Sequence, residues 1–132
     1  MIFFHRLRSY LTHKTPELKR FEDRLQYRFI NTYYLKKALT HRSVKNYHEG
    51  NYERLEFLGD GVLELITKYY LYRRFPKENE GFMTEKKIAL VKNESIGKMV
   101  YDMGINKWYI ISKNAEEKKT RTNLKKLGCL FE

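Results

Sequence analysis

The sequence has few cysteines, few prolines and no long apolar run. Its one cysteine, Cys129, excludes an internal disulfide framework and fits a reducing compartment. No Cys/His spacing of the zinc-finger type occurs. No apolar segment approaches the ~20 residues that a membrane-spanning helix needs. We therefore expect a soluble, cytoplasmic protein without a membrane segment, although organellar and nuclear locations stay open.

Acidic residues are outnumbered by basic ones. The 132 residues include 27 Lys and Arg but 16 Asp and Glu, for a net charge of +11 and an isoelectric point near 9.7. Such a surplus fits a polyanionic partner, either nucleic acid or an anionic membrane surface. Residues 86–126 hold eleven Lys and Arg against four acids. This basic stretch is either a nucleic-acid contact or an ordinary solvated face.

The few carboxylates are clustered. Glu53, Glu56 and Asp60 recur at spacings of three and four residues, so they share one face of a predicted helix, and Glu64 extends the stripe. Like charges at these spacings repel each other unless a cation lies against them, and Mg²⁺ takes hard oxygen ligands. The stripe is therefore a candidate divalent-cation site. The alternative is a solvated helix face.

Two residues within the stripe favour the cation site. Phe57 is a large apolar side chain on the carboxylate face, so we expect this face to be covered. Gly59 costs about 1 kcal/mol relative to Ala inside a helix, which indicates that a backbone or a ligand approaches closely there. The opposite face is apolar and is expected to pack into a core; it comprises Leu55, Leu58, Val62, Leu65, Ile66 and Tyr69.

Residues 53–60, Glu-Arg-Leu-Glu-Phe-Leu-Gly-Asp, resemble the signature of the ribonuclease III endonuclease domain. The resemblance includes Leu-Thr-His-Arg-Ser at 39–43, Arg-Phe-Pro at 74–76, Glu-Gly-Phe-Met-Thr at 80–84 and a second acidic motif at 128–132. It implies an all-α fold, an RNase III endonuclease-type helical domain, over residues 21–132. We expect this domain to be truncated at its C-terminal end, because Glu132 falls inside a predicted helix.

Residues 1–20 are predicted to be an N-terminal amphipathic helical extension. The first 14 residues contain no acid and combine Arg6, Arg8 and Lys14 with apolar side chains. This pattern is typical of an organellar targeting peptide or of an extra helix packed on the domain, and we favour the helix. Thr15 and Pro16 then predict the start of the next helix, as its cap and its first residue.

The remaining chain is predicted to be helices joined by short connectors. Apolar periodicity places them at about 17–25, 32–40, 51–74, 84–104 and from 124 onwards. Pro76 ends the third helix and Gly104 the fourth. Residues 112–123 are predicted to be a polar loop, and periodicity does not place residues 108–111.

The family resemblance also implies a chemistry. The chain is expected to be a Mg²⁺-dependent endoribonuclease that hydrolyses phosphodiester bonds of double-stranded RNA in RNA processing, with Mn²⁺ able to substitute. Glu56, Asp60 and Glu132 match the family's metal-binding carboxylates, and we expect Asp60 and Glu132 to be catalytic. The expected RNA-binding residues are Glu53, Lys118, Lys119 and Arg121.

Three further residues have expected roles. The family forms homodimers around the signature helix, so Phe57 is expected to be buried against a second copy. Glu64 has no catalytic counterpart in the family and is expected to be solvated or salt-bridged. His41 is expected to have a structural role, hydrogen-bonded at the end of its helix; the alternative is that His41 and Arg42 support the acidic cluster or contact phosphate.

One position departs from the family pattern. Where the second acidic motif normally has an aspartate, three residues before Glu132, this chain has Cys129. A neutral thiol is a poor Mg²⁺ ligand. We favour an active or weakly active enzyme, since the other acidic residues of the two motifs are retained. The alternatives are a catalytically weakened or inactive RNase III-like RNA-binding module, and a regulator whose acidic stripe meets a basic partner without nucleic acid.

Overall fold

The computed structural model describes residues 15–45 and 50–132, so the prediction for residues 1–14 falls outside it. In this described part, two short 3₁₀ helices accompany seven α-helices: α1 (Pro16–Leu25), α2 (Thr32–Leu39), α3 (Glu53–Arg74), α4 (Glu80–Leu90), α5 (Asn93–Asp102), α6 (Lys113–Glu117) and α7 (Leu124–Phe131). The all-α fold class is confirmed. None of these helices is both long enough and apolar enough to cross a membrane.

The chain divides into two compact units, one ending at Lys36 and the other comprising Lys37–Glu132. The predicted domain boundary at residue 20 stays a prediction. In the first unit, Thr15 Oγ1 accepts a hydrogen bond from Leu18 N at 3.3 Å and Pro16 occupies the first turn, as predicted for the start of α1. Gln26 ends α1 in the left-handed conformation.

The prediction of a single helix over residues 84–104 is wrong. Asn79 caps α4 by accepting a hydrogen bond from Phe82 N at 2.9 Å, so this helix begins before residue 84. The chain then turns at Lys92, which has extended backbone, and starts again as α5. The turn brings the first residue of α5 against α7: a Cβ added to Gly128 would lie 2.5 Å from the Asn93 carbonyl oxygen. Tertiary packing therefore overrides continuous helical periodicity.

The prediction of a loop over residues 112–123 is also wrong. Ser112 caps α6 by accepting a hydrogen bond from Ala115 N at 3.2 Å, and a 3₁₀ helix follows at Thr120–Thr122. Ala115 and Thr120 are buried, which explains why this polar segment is ordered. Periodicity did not place residues 108–111. In the structure Trp108 is the last residue of a 3₁₀ helix, Ile105–Trp108, and Ile110 pairs with Thr40 as an isolated parallel β-bridge.

The core of the second unit centres on the packing of α5 against α7. Val100 and Leu127 are fully buried between them. The two helices approach closely at Gly97, where an added Cβ would lie 1.8 Å from the Leu124 carbonyl oxygen. Further core side chains come from several elements: Leu71, Ile96, Ile105, Tyr109, Ala115 and Leu130.

The predicted apolar face of α3 does not pack into a core in the single chain. Leu58, Val62, Leu65, Ile66 and Tyr69 are between 50% and 68% exposed, and only Leu55 of the predicted set is half-buried. Within the described chain, α3 contributes Leu71 to the core instead. The prediction of a packed apolar face is therefore wrong for the single chain: of the 22 residues of this helix, Leu71 is the buried one.

Candidate metal centre

The centre is formed where α3 meets the end of α7. A Cβ added to Gly59 would lie 1.4 Å from the backbone carbonyl oxygen of Glu132 and 2.4 Å from its carbonyl carbon. Only glycine permits this contact, which confirms the expectation that another backbone approaches closely at Gly59. The contact brings the second acidic motif, 70 residues later in the chain, onto the carboxylate stripe.

Three side chains converge at this contact. The ligand atoms of Glu56, Cys129 and Glu132 lie within 4.8 Å of one another, and each side chain is half-buried. Asp60 is exposed on the next turn of α3 and lies outside this group. Burial, followed by the charges of Asp60 and Glu56, raises the pKa of Glu132 above its usual value. The structure therefore brings two of the three predicted ligands, Glu56 and Glu132, together with Cys129, and leaves Asp60 outside this group.

The Cys129 thiol is held in place from two sides. Asn93 Nδ2 donates a hydrogen bond to its Sγ at 3.6 Å. Burial, a hydrogen bond to Glu56 and the charges of Glu56 and Glu132 raise the pKa of Cys129 to about 12. The neutral thiol thus donates to the Glu56 carboxylate. The carboxylates of this centre fit the oxygen preference of Mg²⁺, whereas the thiol does not.

A buried aromatic cluster lies close to the centre. The His41 ring stacks on Tyr52 with centroids 5.7 Å apart and meets Tyr109 edge-on at 5.5 Å. His41 Nδ1 accepts a hydrogen bond from Ser43 N at 3.1 Å, just after the end of α2. Burial, followed by the charges of Lys126 and Arg42, lowers the pKa of His41. These contacts support the expected structural role of His41, hydrogen-bonded at the end of its helix.

The outer part of the stripe is paired with basic residues. Arg42 Nη1 lies 3.6 Å from a carboxylate oxygen of Glu53, with both side chains exposed. Glu64 accepts a hydrogen bond from Lys87 Nζ at 2.7 Å and lies 3.4 Å from Lys68 Nζ. The hydrogen bonds from these two lysines lower the pKa of Glu64. The expectation that Glu64 is salt-bridged is confirmed.

A family comparison now identifies the fold. The sequence model described as Ribonuclease-III-like matches residues 31–132, which include both acidic motifs. The chain belongs to the ribonuclease III family. It is 41% identical over 116 residues to Ribonuclease 3 of a Nitratiruptor species and 45% identical over 93 residues to that of Acinetobacter baylyi. These matches cover 88% and 70% of this chain but 50% and 40% of the relatives, so the chain spans about half their length.

Solved ribonuclease III structures share the fold. Two structures of the nuclease domain of Ribonuclease III from Campylobacter jejuni superpose with TM-scores of 0.81 and 0.80 at 32% identity. They cover 86% and 88% of this chain, which covers 78% of each of them. One of them is described for structural flexibility in a region involved in dimer formation.

The predicted RNA-binding residues of this ribonuclease III domain differ in their exposure and in their hydrogen bonds within the protein. Lys118 and Lys119 are exposed after α6, and nothing contradicts their predicted role. Arg121 is engaged within the protein: its guanidinium donates to the Glu116 carboxylate and to carbonyl oxygens of the 3₁₀ segment before α6, those of Asn106, Lys107 and Tyr109. These hydrogen bonds occupy the guanidinium within the protein, and the RNA contact of Arg121 stays a prediction.

Asn93 contacts the centre, although the motifs did not single it out. Its amide reaches Cys129 Sγ only because the chain turns at Lys92 and directs the start of α5 to α7. No local sequence signal marks this contact.

Proposed function

We propose that this chain is the endonuclease domain of a Mg²⁺-dependent endoribonuclease that hydrolyses phosphodiester bonds of double-stranded RNA in RNA processing. The observation that carries the proposal is the convergence of both acidic motifs at the Gly59–Glu132 contact. The enzyme names of the relatives add support. A solvated carboxylate stripe would not require a second acidic segment to pack on it.

Glu56, Asp60 and Glu132 would hold the cation in this proposal. A bound divalent cation lowers the pKa of a coordinated water, neutralises charge on the transferring phosphoryl group and stabilises the leaving oxygen. The half-buried Glu132 has a raised pKa because of its burial and its acidic neighbours, and a cation bound among these carboxylates would offset their repulsion. Asp60 is exposed, and its charge is among those that raise the pKa of Glu132.

Basic and apolar surfaces support the proposed partners. The net charge of +11 favours a polyanion, and duplex RNA is recognised mainly through phosphates and 2′-hydroxyls, so no base-reading motif is required. Phe57 is 85% exposed in the single chain, on the carboxylate face of α3. We propose that a second copy covers Phe57 in a symmetric homodimer.

The direct test is cleavage of a long RNA duplex in Mg²⁺ by the wild type, Asp60→Asn and Glu132→Gln. Each amide keeps the shape of its side chain and removes an anionic ligand, so both variants should lose cleavage while duplex binding in Ca²⁺ stays within about twofold. Glu64→Gln on the same helix is the matched control, because Glu64 is paired with Lys87 and should be dispensable. Cleavage by either Asp60→Asn or Glu132→Gln would refute the assignment.

Cys129 supports a second candidate function, a duplex-RNA-binding module with weak or no cleavage. A thiol in place of a carboxylate leaves the centre one negative charge short of the family pattern. This candidate predicts that the wild type binds duplex RNA without cutting it and that Cys129→Asp restores cleavage. Failure of the wild type to bind duplex RNA at all would reject both candidates.

A further inference from the structure

The two exposed lysines after α6, Lys118 and Lys119, lie at the tip of a tight turn. The Lys118 amide donates a hydrogen bond to the Asn114 carbonyl oxygen at 3.1 Å, and the Lys119 amide donates to that of Glu116 at 2.9 Å. Thr122 closes the other side, because its amide and its hydroxyl both donate to the Lys119 carbonyl oxygen, at 3.1 and 3.2 Å. Hydrogen bonds therefore fix the backbone on both sides of the tip.

Lys119 has a backbone conformation that a lysine seldom adopts. Its φ of 56° and ψ of 31° lie in the left-handed region. A residue with a Cβ is disfavoured there, and the conformation persists only where the surrounding structure holds it. Ala115 and Thr120 are buried on either side of the two lysines and anchor the turn in the core. The turn therefore presents its lysines in a defined shape.

An ion pair bridges the base of this turn, and we call it the Glu116–Arg121 clamp. The Arg121 guanidinium donates to both carboxylate oxygens of Glu116, at distances between 2.7 and 3.1 Å. It also donates to the carbonyl oxygens of Asn106 at 2.8 Å and Tyr109 at 2.7 Å, which ties the turn to the segment before α6. The hydrogen bond from Arg121 lowers the pKa of Glu116, so this carboxylate stays charged at neutral pH.

We propose that the Glu116–Arg121 clamp positions Lys118 and Lys119 for contact with the phosphates of duplex RNA. Duplex RNA is recognised mainly by its shape, so a preformed turn offers its cations in a fixed arrangement before binding. A turn that is already ordered avoids the entropy lost when a mobile segment is immobilised at an interface. Glu116 and Arg121 are then positioning residues, which raise the affinity for RNA without contacting it. The inference rests on the proposed RNA partner, but not on the cation or on cleavage.

Removal of the Glu116 carboxylate separates this proposal from simple charge attraction. Deleting an acid beside two lysines makes the surface more positive, so electrostatics alone predicts tighter binding of a polyanion. The proposal predicts the opposite, because a turn without its clamp must be ordered during binding. Glu117→Ala is the matched control, since Glu117 is the neighbouring exposed acid of α6 and lies outside the clamp.

The test is binding of a fully paired RNA duplex in Ca²⁺ by the wild type, Glu116→Ala and Glu117→Ala. We expect Glu116→Ala to weaken binding about fivefold, because the lysines must be ordered on the RNA, and Glu117→Ala to tighten it slightly. The log–log salt slope of Glu116→Ala should equal that of the wild type, because both lysines still reach phosphate. Tighter binding by both variants would overturn the proposal.

Arg121→Lys distinguishes positioning from direct contact between Arg121 and RNA. Lysine keeps the charge but lacks the planar guanidinium that bridges Glu116 and the carbonyl oxygens. We expect Arg121→Lys to weaken binding as Glu116→Ala does, with no further loss when the two changes are combined. Wild-type affinity in Arg121→Lys, or losses that add in the double variant, would overturn the proposal.

Amide hydrogen exchange of Lys119 and Thr122 reports on the turn in the absence of RNA, because both amides are hydrogen-bonded within it. These amides should exchange at least about tenfold faster in Glu116→Ala than in the wild type and at the wild-type rate in Glu117→Ala. Equal exchange in all three proteins would overturn the clamp. A wild type that binds no duplex RNA would reject the proposed RNA partner, and the role of the clamp with it. Duplex binding that is unchanged in Glu116→Ala would reject the clamp's role alone.

Discussion

Replacing Gly59 by alanine should damage the candidate centre, although alanine is the better helix former. Gly59 lies in the middle of α3, where Gly→Ala normally stabilises a helix by about 1 kcal/mol. Here the new Cβ would lie 1.4 Å from the Glu132 carbonyl oxygen, whereas an ordinary contact needs at least 3.4 Å. The end of α7 must therefore move away from α3 by about 2 Å, because the obstacle is backbone and cannot rotate aside.

The expected magnitude follows from that displacement. Overpacking of this kind costs about 1–3 kcal/mol, so after the gain in helix propensity we expect a net loss of roughly 0–2 kcal/mol in unfolding free energy. The larger effect falls on the centre, because Glu132 moves away from Glu56 and Cys129, whose ligand atoms now lie within 4.8 Å of its own. Divalent-cation affinity should fall at least tenfold.

Gly61→Ala is the matched control. Gly61 lies two residues later in α3, and an added Cβ there meets nothing within 4 Å. This variant should gain roughly 0.5–1 kcal/mol and bind cations like the wild type. Urea unfolding and cation titration of the two variants measure both effects. If Gly59→Ala gained stability as Gly61→Ala does and kept its cation affinity, the proposed closeness of α3 and Glu132 would be refuted.

Three further predictions concern assembly, RNA binding and pH. Phe57→Ala should sediment as a monomer at tens of micromolar, where a weak interface of roughly 7 kcal/mol keeps the wild type dimeric; a monomeric wild type would contradict the dimer. Charge reversal of Lys118 and Lys119 should lower the log–log salt slope of duplex-RNA binding by about 1 per lost phosphate contact, and an unchanged slope would place both lysines away from RNA. The folded-state pKa of Glu132 lies above its usual value. The protonated carboxyl therefore adds to the free energy of unfolding at low pH, and this contribution is lost as the pH rises through that pKa. Without cations, Glu132→Gln should therefore unfold at a higher temperature than the wild type at pH 7 and at the same temperature below about pH 4; a difference that persists at low pH would contradict this cause.

Local sequence signals were sufficient wherever a helix depends on its own residues. Thr15 and Pro16 predicted the start of α1, and Pro76 predicted the end of α3, because caps and proline act within one turn. The same signals failed at residue 92, where no proline or glycine marks the break. That break depends on the approach of α5 to Gly128, 35 residues after Asn93, which periodicity cannot detect.

The carboxylate stripe was visible in the sequence because its spacing equals the helical repeat. Burial was not visible: the apolar face of α3 has the pattern of a packed helix, yet its side chains are exposed in the single chain. Periodicity reveals that one side of a helix is apolar but not which surface covers it. The basic run was similarly ambiguous, since Arg121 proved to bond with Glu116 and backbone carbonyls while Lys118 and Lys119 stay exposed.

The sequence by itself determined the family, the helical class and the α3 carboxylates, because a helix places residues three and four apart on one face wherever it lies in the fold. Gly59 is unfavourable inside a helix, and this predicted that a backbone or a ligand approaches closely there. Only the tertiary structure decided that the backbone of Glu132 is what approaches Gly59. It also decided that the Cys129 sulfur lies beside the carboxylates of Glu56 and Glu132. Ligands separated by some 70 residues meet through the packing of two helices, and that packing depends on side-chain shape throughout the core rather than on any local pattern.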